Sequence, residues 1–361
     1  MTIKTLTMTA VIALGTSAAF AEEVRVYNWS DYIDEELLSK FEEETGLTLI
    51  YDVFDSNEVL ETKMLAGGSG YDVVVPTADF MQRQIQAGVY QKLDKSQLPN
   101  LKNMWDVIEE RTSRYDPGNE YSINYMWGTT GLGINVNKVK EVLGEDAPLN
   151  SMDLVLKPEN MEKLASCGVH FLDAPTEIIP MVLQYLGEDP DSSDPEVIAK
   201  AEAPLLSVRP YIQKFHSSEY VNALANGEIC VAVGWSGDVL QSRDRAIEAD
   251  NGVEIAYNAF AEGSLMWSDQ MAIPADAPNP EGAHKFLNFI MDAQNMAAAS
   301  NYVYYANGNK ASQEFLVEDV IGDPAIYPTE ETMNNLYTKS PYPAKTQRVV
   351  TRLWTKVKSG T

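Results

Sequence analysis

From residue 24 onward the chain alternates apolar runs with helical ones, and this alternation constrains the fold more than any other feature. Residues 24–27 read as a strand, 47–54 as a second and 71–76 as a third. A helix starts behind Asp34, an N-cap residue ahead of Leu37, Leu38 and Phe41, and another spans 56–66 before the turn Gly67-Gly68-Ser69-Gly70. A third helix follows from about Phe80. A β-α-β-α-β opening with short connections predicts an α/β fold with a parallel sheet and right-handed crossovers. Ligands in such sheets sit beyond the carboxyl ends of the strands. Trp29, Ser30 and Asp31 stand at the first such end, and Thr77 and Asp79 at the third. With the first strand central, the two ends flank one crevice.

The same logic returns later in the chain. Residues 169–172 read as a strand, after which Pro175 and Glu177 open a helix. Residues 228–233 read as a strand running into Gly234-Trp235-Ser236-Gly237-Asp238, and 265–274 as one carrying Trp267 beside Asp269. The Gly- and Thr-rich stretch 125–137 reads as a strand crossing into a second lobe, its glycines allowing close backbone packing. It matches neither dinucleotide nor phosphate-loop spacing. Residues 217–225 read as a helix stopped by Asn226-Gly227, 280–291 as a helix, 301–307 as a loop or strand, and 346–358 as a basic helix. A length of 361 residues suits two lobes. The expected division is 22–131 with 255–310 in the first lobe and 132–254 in the second, the chain returning near 252–256. Residues 311–361 are expected as C-terminal helices packed mainly on the second lobe.

Residues 1–21 have the pattern of a signal peptide. Lys4 is the only charge before Glu22, the run 10–14 is apolar, and Ala19-Phe20-Ala21 fits a small-x-small cleavage site after Ala21. An exported, periplasmic protein is expected. Its two cysteines, Cys167 and Cys230, then read as one disulfide within the second lobe. A net charge of −26 argues against nucleic acid and anionic membranes and is compatible with a cationic ligand.

Three tryptophans stand beside carboxylates: Trp29 with Asp31, Trp235 with Asp238, and Trp267 with Asp269. Any one such pair is more often a core aromatic beside a helix cap. Three at strand ends, with Asp79 and Glu177 besides, suit an ammonium held by ring faces and carboxylates, each cation–π contact contributing about 0.5–2 kcal/mol. A diamine or triamine, charged at its ends and apolar between, fits that set.

The motifs Tyr27-Asn28-Trp29-Ser30-Asp31-Tyr32, residues 51–58, residues 71–76 and Gly234-Trp235-Ser236-Gly237-Asp238 resemble those of the putrescine- and spermidine-binding proteins of bacterial ABC importers, over nearly the whole mature chain and closest to the putrescine branch. The resemblance implies a type II periplasmic binding protein fold. That is two lobes, each a mostly parallel sheet flanked by helices, closing on ligand in the cleft between them. It implies a monomer that delivers polyamine to a membrane permease, with no cofactor, resident metal or catalytic residue. It further implies aromatic walls from Trp29, Trp267, Trp235 and Tyr305, polar contacts from Ser30, Asp31 and Thr77, and ammonium-binding carboxylates at Glu177, Asp238 and Asp269. Two features depart from the putrescine branch. Trp267 is of the spermidine type, and Asp79 holds a position that is usually neutral, open to a third ammonium. Lys339 falls near the mouth and is expected to point outward.

Other chemistries fit less well. The adjacent Tyr304-Tyr305 suggests ferric-ion binding, but tryptophans do not help hard oxygen ligation. Sugar sites also combine aromatics and carboxylates. Among enzymes, a glycosidase would use a carboxylate pair. Gly234-Trp235-Ser236-Gly237 only loosely resembles a nucleophile elbow, and His170, His216 and His284 are scattered without metal-site spacing.

Overall fold

The structure, a computed structural model, describes residues 22–360. The signal-peptide reading of residues 1–21 lies outside the described residues. The opening alternation appears as read: β1 (Glu23–Trp29), α1 (Glu35–Thr45), β2 (Thr48–Phe54), α2 (Asn57–Ala66), β3 (Val73–Val74) and α3 (Ala78–Gln86). The Asp34 side chain caps α1 through the Glu36 N–H, and the Ser56 side chain caps α2 through the Val59 N–H. β1 lies between β2 and β3 and is parallel to both. The buried faces of these elements, among them Val24, Val26, Phe41, Leu60 and Val73, pack with Met271, Phe286 and Leu287 into one hydrophobic core.

A single long strand carries the chain out of this lobe. β4 (Ser122–Asn135) is buried along its whole length. Its first part pairs with β9 (Ser264–Ala272), and its second part with β7 (Val231–Trp235) and β8 (Ile255–Asn258). Beyond β7 come β5 (Val169–Phe171) and β6 (Lys214–Phe215), both parallel pairings. Around them Leu132, Ile134, Phe171, Leu224, Val233 and Val239 form the second core. Each lobe thus has a parallel centre. β9 enters between β3 and β4 and runs antiparallel to both, so the sheet is mixed.

Gly128 lies where β4 passes Trp267. A Cβ there would lie 2.8 Å from the indole ring, so only glycine permits the approach.

Two readings need correction. The strand at 255–258, expected to return the chain to the first lobe, pairs with Leu132–Asn135, and Ile255 and Tyr257 join the second core. The return falls on β9. Residues 301–303, expected as loop or strand, end the helix Ala293–Val303, with Tyr304 as its left-handed cap. Burial of Ala299 and Val303 against the first core outweighs the strand preference of the tyrosines and valine. The C-terminal helix Ala344–Ser359 docks on the second lobe, where the Trp354 indole N–H and the Lys358 ammonium both donate to Asp173. Cys167 and Cys230 are disulfide-bonded just ahead of β5 and β7.

Candidate functional site

The strand ends of the two lobes meet around a narrow slot of about 30 Å³. It is lined by Trp29, Ser30, Tyr32, Thr77, Glu177, Trp235, Asp238, Trp267, Asp269 and Tyr305. Four edge-on ring contacts close it. Trp29 meets Trp235 at 5.5 Å, Trp235 meets Trp267 at 6.5 Å, Trp267 meets Tyr305 at 5.3 Å, and Tyr305 meets Tyr32 at 5.3 Å between centroids. Trp29 belongs to the first core and Trp235 ends β7 of the second lobe, so the lobes touch across the slot.

Each carboxylate is placed by its element and held by donors from elsewhere in the chain. Asp269, on β9, accepts from the Tyr32 hydroxyl at 2.8 Å and the Thr77 hydroxyl at 2.7 Å. Thr77 stands at the N-cap position of α3, its hydroxyl turned to Asp269 rather than to the helix, and is fixed in turn by Asn57, whose amide donates to that hydroxyl at 2.8 Å. Asp238, in the first turn of the helix Ser236–Glu248, accepts from the Tyr220 and Tyr305 hydroxyls at 2.8 and 2.7 Å. Glu177, in the first turn of the helix Pro175–Tyr185, accepts from the Thr130 hydroxyl at 2.5 Å and the Trp235 indole N–H at 3.0 Å. Burial is the main force on all three. It pushes Asp238 and Asp269 up to about 7 and raises Glu177, while the hydroxyl donors pull the other way. Glu177 and Asp79 add their negative potential at Asp269.

Nine of the eleven residues expected at the site line this slot, and two do not. Asp31 turns away in a left-handed backbone conformation and pairs with Arg245 of the second lobe at 2.9 Å. Asp79 faces the neighbouring cavity and is ion-paired with Lys339. Lys339, expected to point outward, is 6 % exposed. Its stem reaches inward because a buried carboxylate offers the counter-charge that water otherwise supplies. Tyr32 and Tyr220, which supply one hydroxyl each to Asp269 and Asp238, are not among the residues the sequence singles out. Tyr32 stands within the opening motif itself.

The model of bacterial extracellular solute-binding proteins matches residues 36–329. The chain is 53 % identical over 359 residues to the putrescine-binding periplasmic protein SpuD of Pseudomonas aeruginosa, covering 99 % of this chain and 98 % of that protein. It is 50 % identical over 350 residues to the putrescine-binding periplasmic protein PotF of Escherichia coli, covering 97 % and 95 %. Among solved structures, the spermidine/putrescine substrate-binding protein PotD of Streptococcus pneumoniae superposes with a TM-score of 0.75 at 28 % identity, covering 94 % of this chain and 99 % of that one. The two-lobed architecture is that of the type II periplasmic binding proteins. By its family match, its full-length relatives and its fold, the chain belongs to the bacterial extracellular solute-binding proteins.

Proposed function

We propose that this protein captures a polyamine, putrescine foremost, between its two lobes in the periplasm and delivers it to the permease of an ABC importer. One observation carries the reading: the ten residues lining the slot include three buried carboxylates and no basic side chain. Such a site is short of positive charge, and a dication supplies it. At an intermediate effective dielectric, a carboxylate about 4 Å from an ammonium gains ~4 kcal/mol before desolvation. The indole and phenol rings cover the methylenes between the charged ends, and both lobes contribute contacts, so the ligand favours the closed state. The names of the full-length relatives support the same ligand class.

Trp29, Ser30, Thr77, Glu177, Trp235, Asp238, Trp267, Asp269 and Tyr305 form the ligand contacts, joined by Tyr32. The first lobe comprises 22–131 and the stretch from β9 to about 310, the second lobe 132 to the end of β8, with residues 311–361 mainly on the second. The mature chain starts after Ala21 and acts as a monomer without cofactor. The carboxylates bind charge and catalyse nothing: each is tied to hydroxyl or indole donors. Ferric binding is disfavoured because Tyr304 and Tyr305 diverge, one toward Asp244 and the other onto Asp238.

Thermal-shift and calorimetric titration of residues 22–361 with putrescine, cadaverine, spermidine, spermine, neutral sugars and ferric citrate test the reading. Amines alone are expected to raise the melting temperature, a hundredfold excess over the dissociation constant adding about 2.7 kcal/mol of stability. A response to sugar or iron without one to amines would overturn it.

A further inference from the structure

Asp79 and Lys339 are a buried ion pair at the junction of two spaces. Thr77 and Trp267 line the slot, and both also line an adjoining cavity of about 530 Å³ whose wall includes Asp79 and Lys339. Asp79 sits in the first turn of α3, two residues beyond the Thr77 that holds Asp269. The Lys339 ammonium, besides its contact with Asp79, lies 5.4 Å from the centroid of the Phe80 ring. The segment that carries it is held at Lys339 and at both neighbours. The Tyr115 hydroxyl donates to the Lys339 carbonyl at 2.9 Å, and Arg114 donates to the Thr338 and Ser340 hydroxyls at 2.6 and 2.9 Å. The lysine therefore reaches Asp79 from an anchored segment, and both members of the pair are shut off from water.

The surroundings of the pair match those proposed for a ligand ammonium: a buried carboxylate, an aromatic ring and a position continuous with the slot. We infer that Asp79 is a third ammonium subsite which the protein fills with its own Lys339, so that the site accepts a ligand of two charges and turns away a third. This inference rests on the reading of the slot as a polyamine site. A diamine satisfies the slot's carboxylates and stops there. The extra ammonium of a triamine, extended past Thr77 and Trp267, meets a lysine charge already seated on Asp79. The adjoining cavity gives it no better place, because Arg111 and Arg114 line it against the single further carboxylate of Glu110.

The test is calorimetric titration of the mature chain with putrescine and spermidine, read as the ratio of their affinities. Wild-type protein is expected to favour putrescine by about tenfold or more. In Lys339→Ala, which removes the ammonium and opens its space, the ratio should move toward spermidine by about tenfold or more. In the double variant Asp79→Asn/Lys339→Ala the ratio should fall back, because the subsite has lost its charge. Binding of neither amine by wild type would defeat the polyamine reading itself. Wild-type binding with an unmoved ratio in Lys339→Ala would overturn only this inference. So would a shift that persists in the double variant, which would assign the effect to space, and so would loss of both amines in Lys339→Ala.

Discussion

Asp269 and Asp79 are equally buried, each 4 % exposed, and lie close together through Thr77, yet they are neutralised in different ways. Asp269 has two hydroxyls, from Tyr32 and Thr77. Asp79 has an ammonium, from Lys339. Hydroxyl donors lessen the cost of removing a carboxylate from water but leave its charge uncancelled, whereas an ammonium cancels it. The cleft therefore holds one carboxylate still able to attract a cation and another already satisfied. In the proposed site, burial and negative charge alone do not mark a ligand contact; the chemistry of the partner does.

The isosteric change Asp→Asn at the two positions breaks this comparison most directly. Asp79→Asn leaves the buried Lys339 ammonium without its direct ion-pair partner, with only the more distant charges of Glu58 and Glu177 near it, and is expected to destabilise the protein by about 3 kcal/mol in urea unfolding at neutral pH. A loss below about 1 kcal/mol would mean that the lysine escapes to water and the pair is an ordinary surface one. Asp269→Asn orphans no cation, so the unliganded protein should keep its stability or gain some. Its cost falls on binding, with putrescine affinity lower by about tenfold or more, or about 1.4 kcal/mol. Unchanged affinity in calorimetry would remove Asp269 from the ligand contacts.

The same contrast predicts a pH dependence. Asp238 and Asp269 are pushed up to about 7 in this structure, mainly by burial, against an ordinary value of 3.8. Between those values the folded chain keeps protons that the unfolded chain has lost. The stability these groups contribute is fully present below about pH 4 and is lost as pH rises through about 7. In the proposed site a diamine binds the ionised form. Binding should therefore release protons near neutrality and strengthen between about pH 5.5 and pH 8. Calorimetry in two buffers of different ionisation enthalpy measures that release, and identical apparent enthalpies at about pH 6.5 would contradict it.

The opening alternation was legible because each strand and helix declares its own period, and because Asp34 and Ser56 cap by local contacts. The residues gathered at the slot were legible for a related reason: they follow strands, and the sheet fixes where strands end. What stayed hidden depends on contacts remote in sequence. The direction of β9 follows from its pairing with β3 and β4, strands that lie far from it in sequence. The role of Tyr32 depends on a carboxylate 237 residues away. Lys339 shows the limit best. A single lysine in a polar stretch reads as solvated, and only the fold brings it to Asp79, 260 residues distant.

Asp31 supplies a third case, a carboxylate paired with a cation in the open. Its side chain is 46 % exposed and that of Arg245 34 %, so water screens their attraction. The pair nonetheless joins the lobes, since Asp31 follows β1 and Arg245 lies on the helix behind β7, whose Gln241 amide also donates to the Asp31 carbonyl at 3.3 Å. In the proposed capture by closure this contact forms only between closed lobes, so its loss should shift the closed population. Exposed pairs contribute about 0.2–1 kcal/mol, so Arg245→Ala should weaken putrescine binding by less than about fivefold. The change should appear as faster release, because the ligand contacts form in either protein and only the closed state has lost a tie. Raising the salt concentration should produce the same effect in wild type and a smaller one in the variant. Stopped-flow release with competing ligand measures both. A loss above about tenfold would mean that this exposed clasp holds the closed state more firmly than the buried carboxylates do, reversing the order that burial and partner chemistry set.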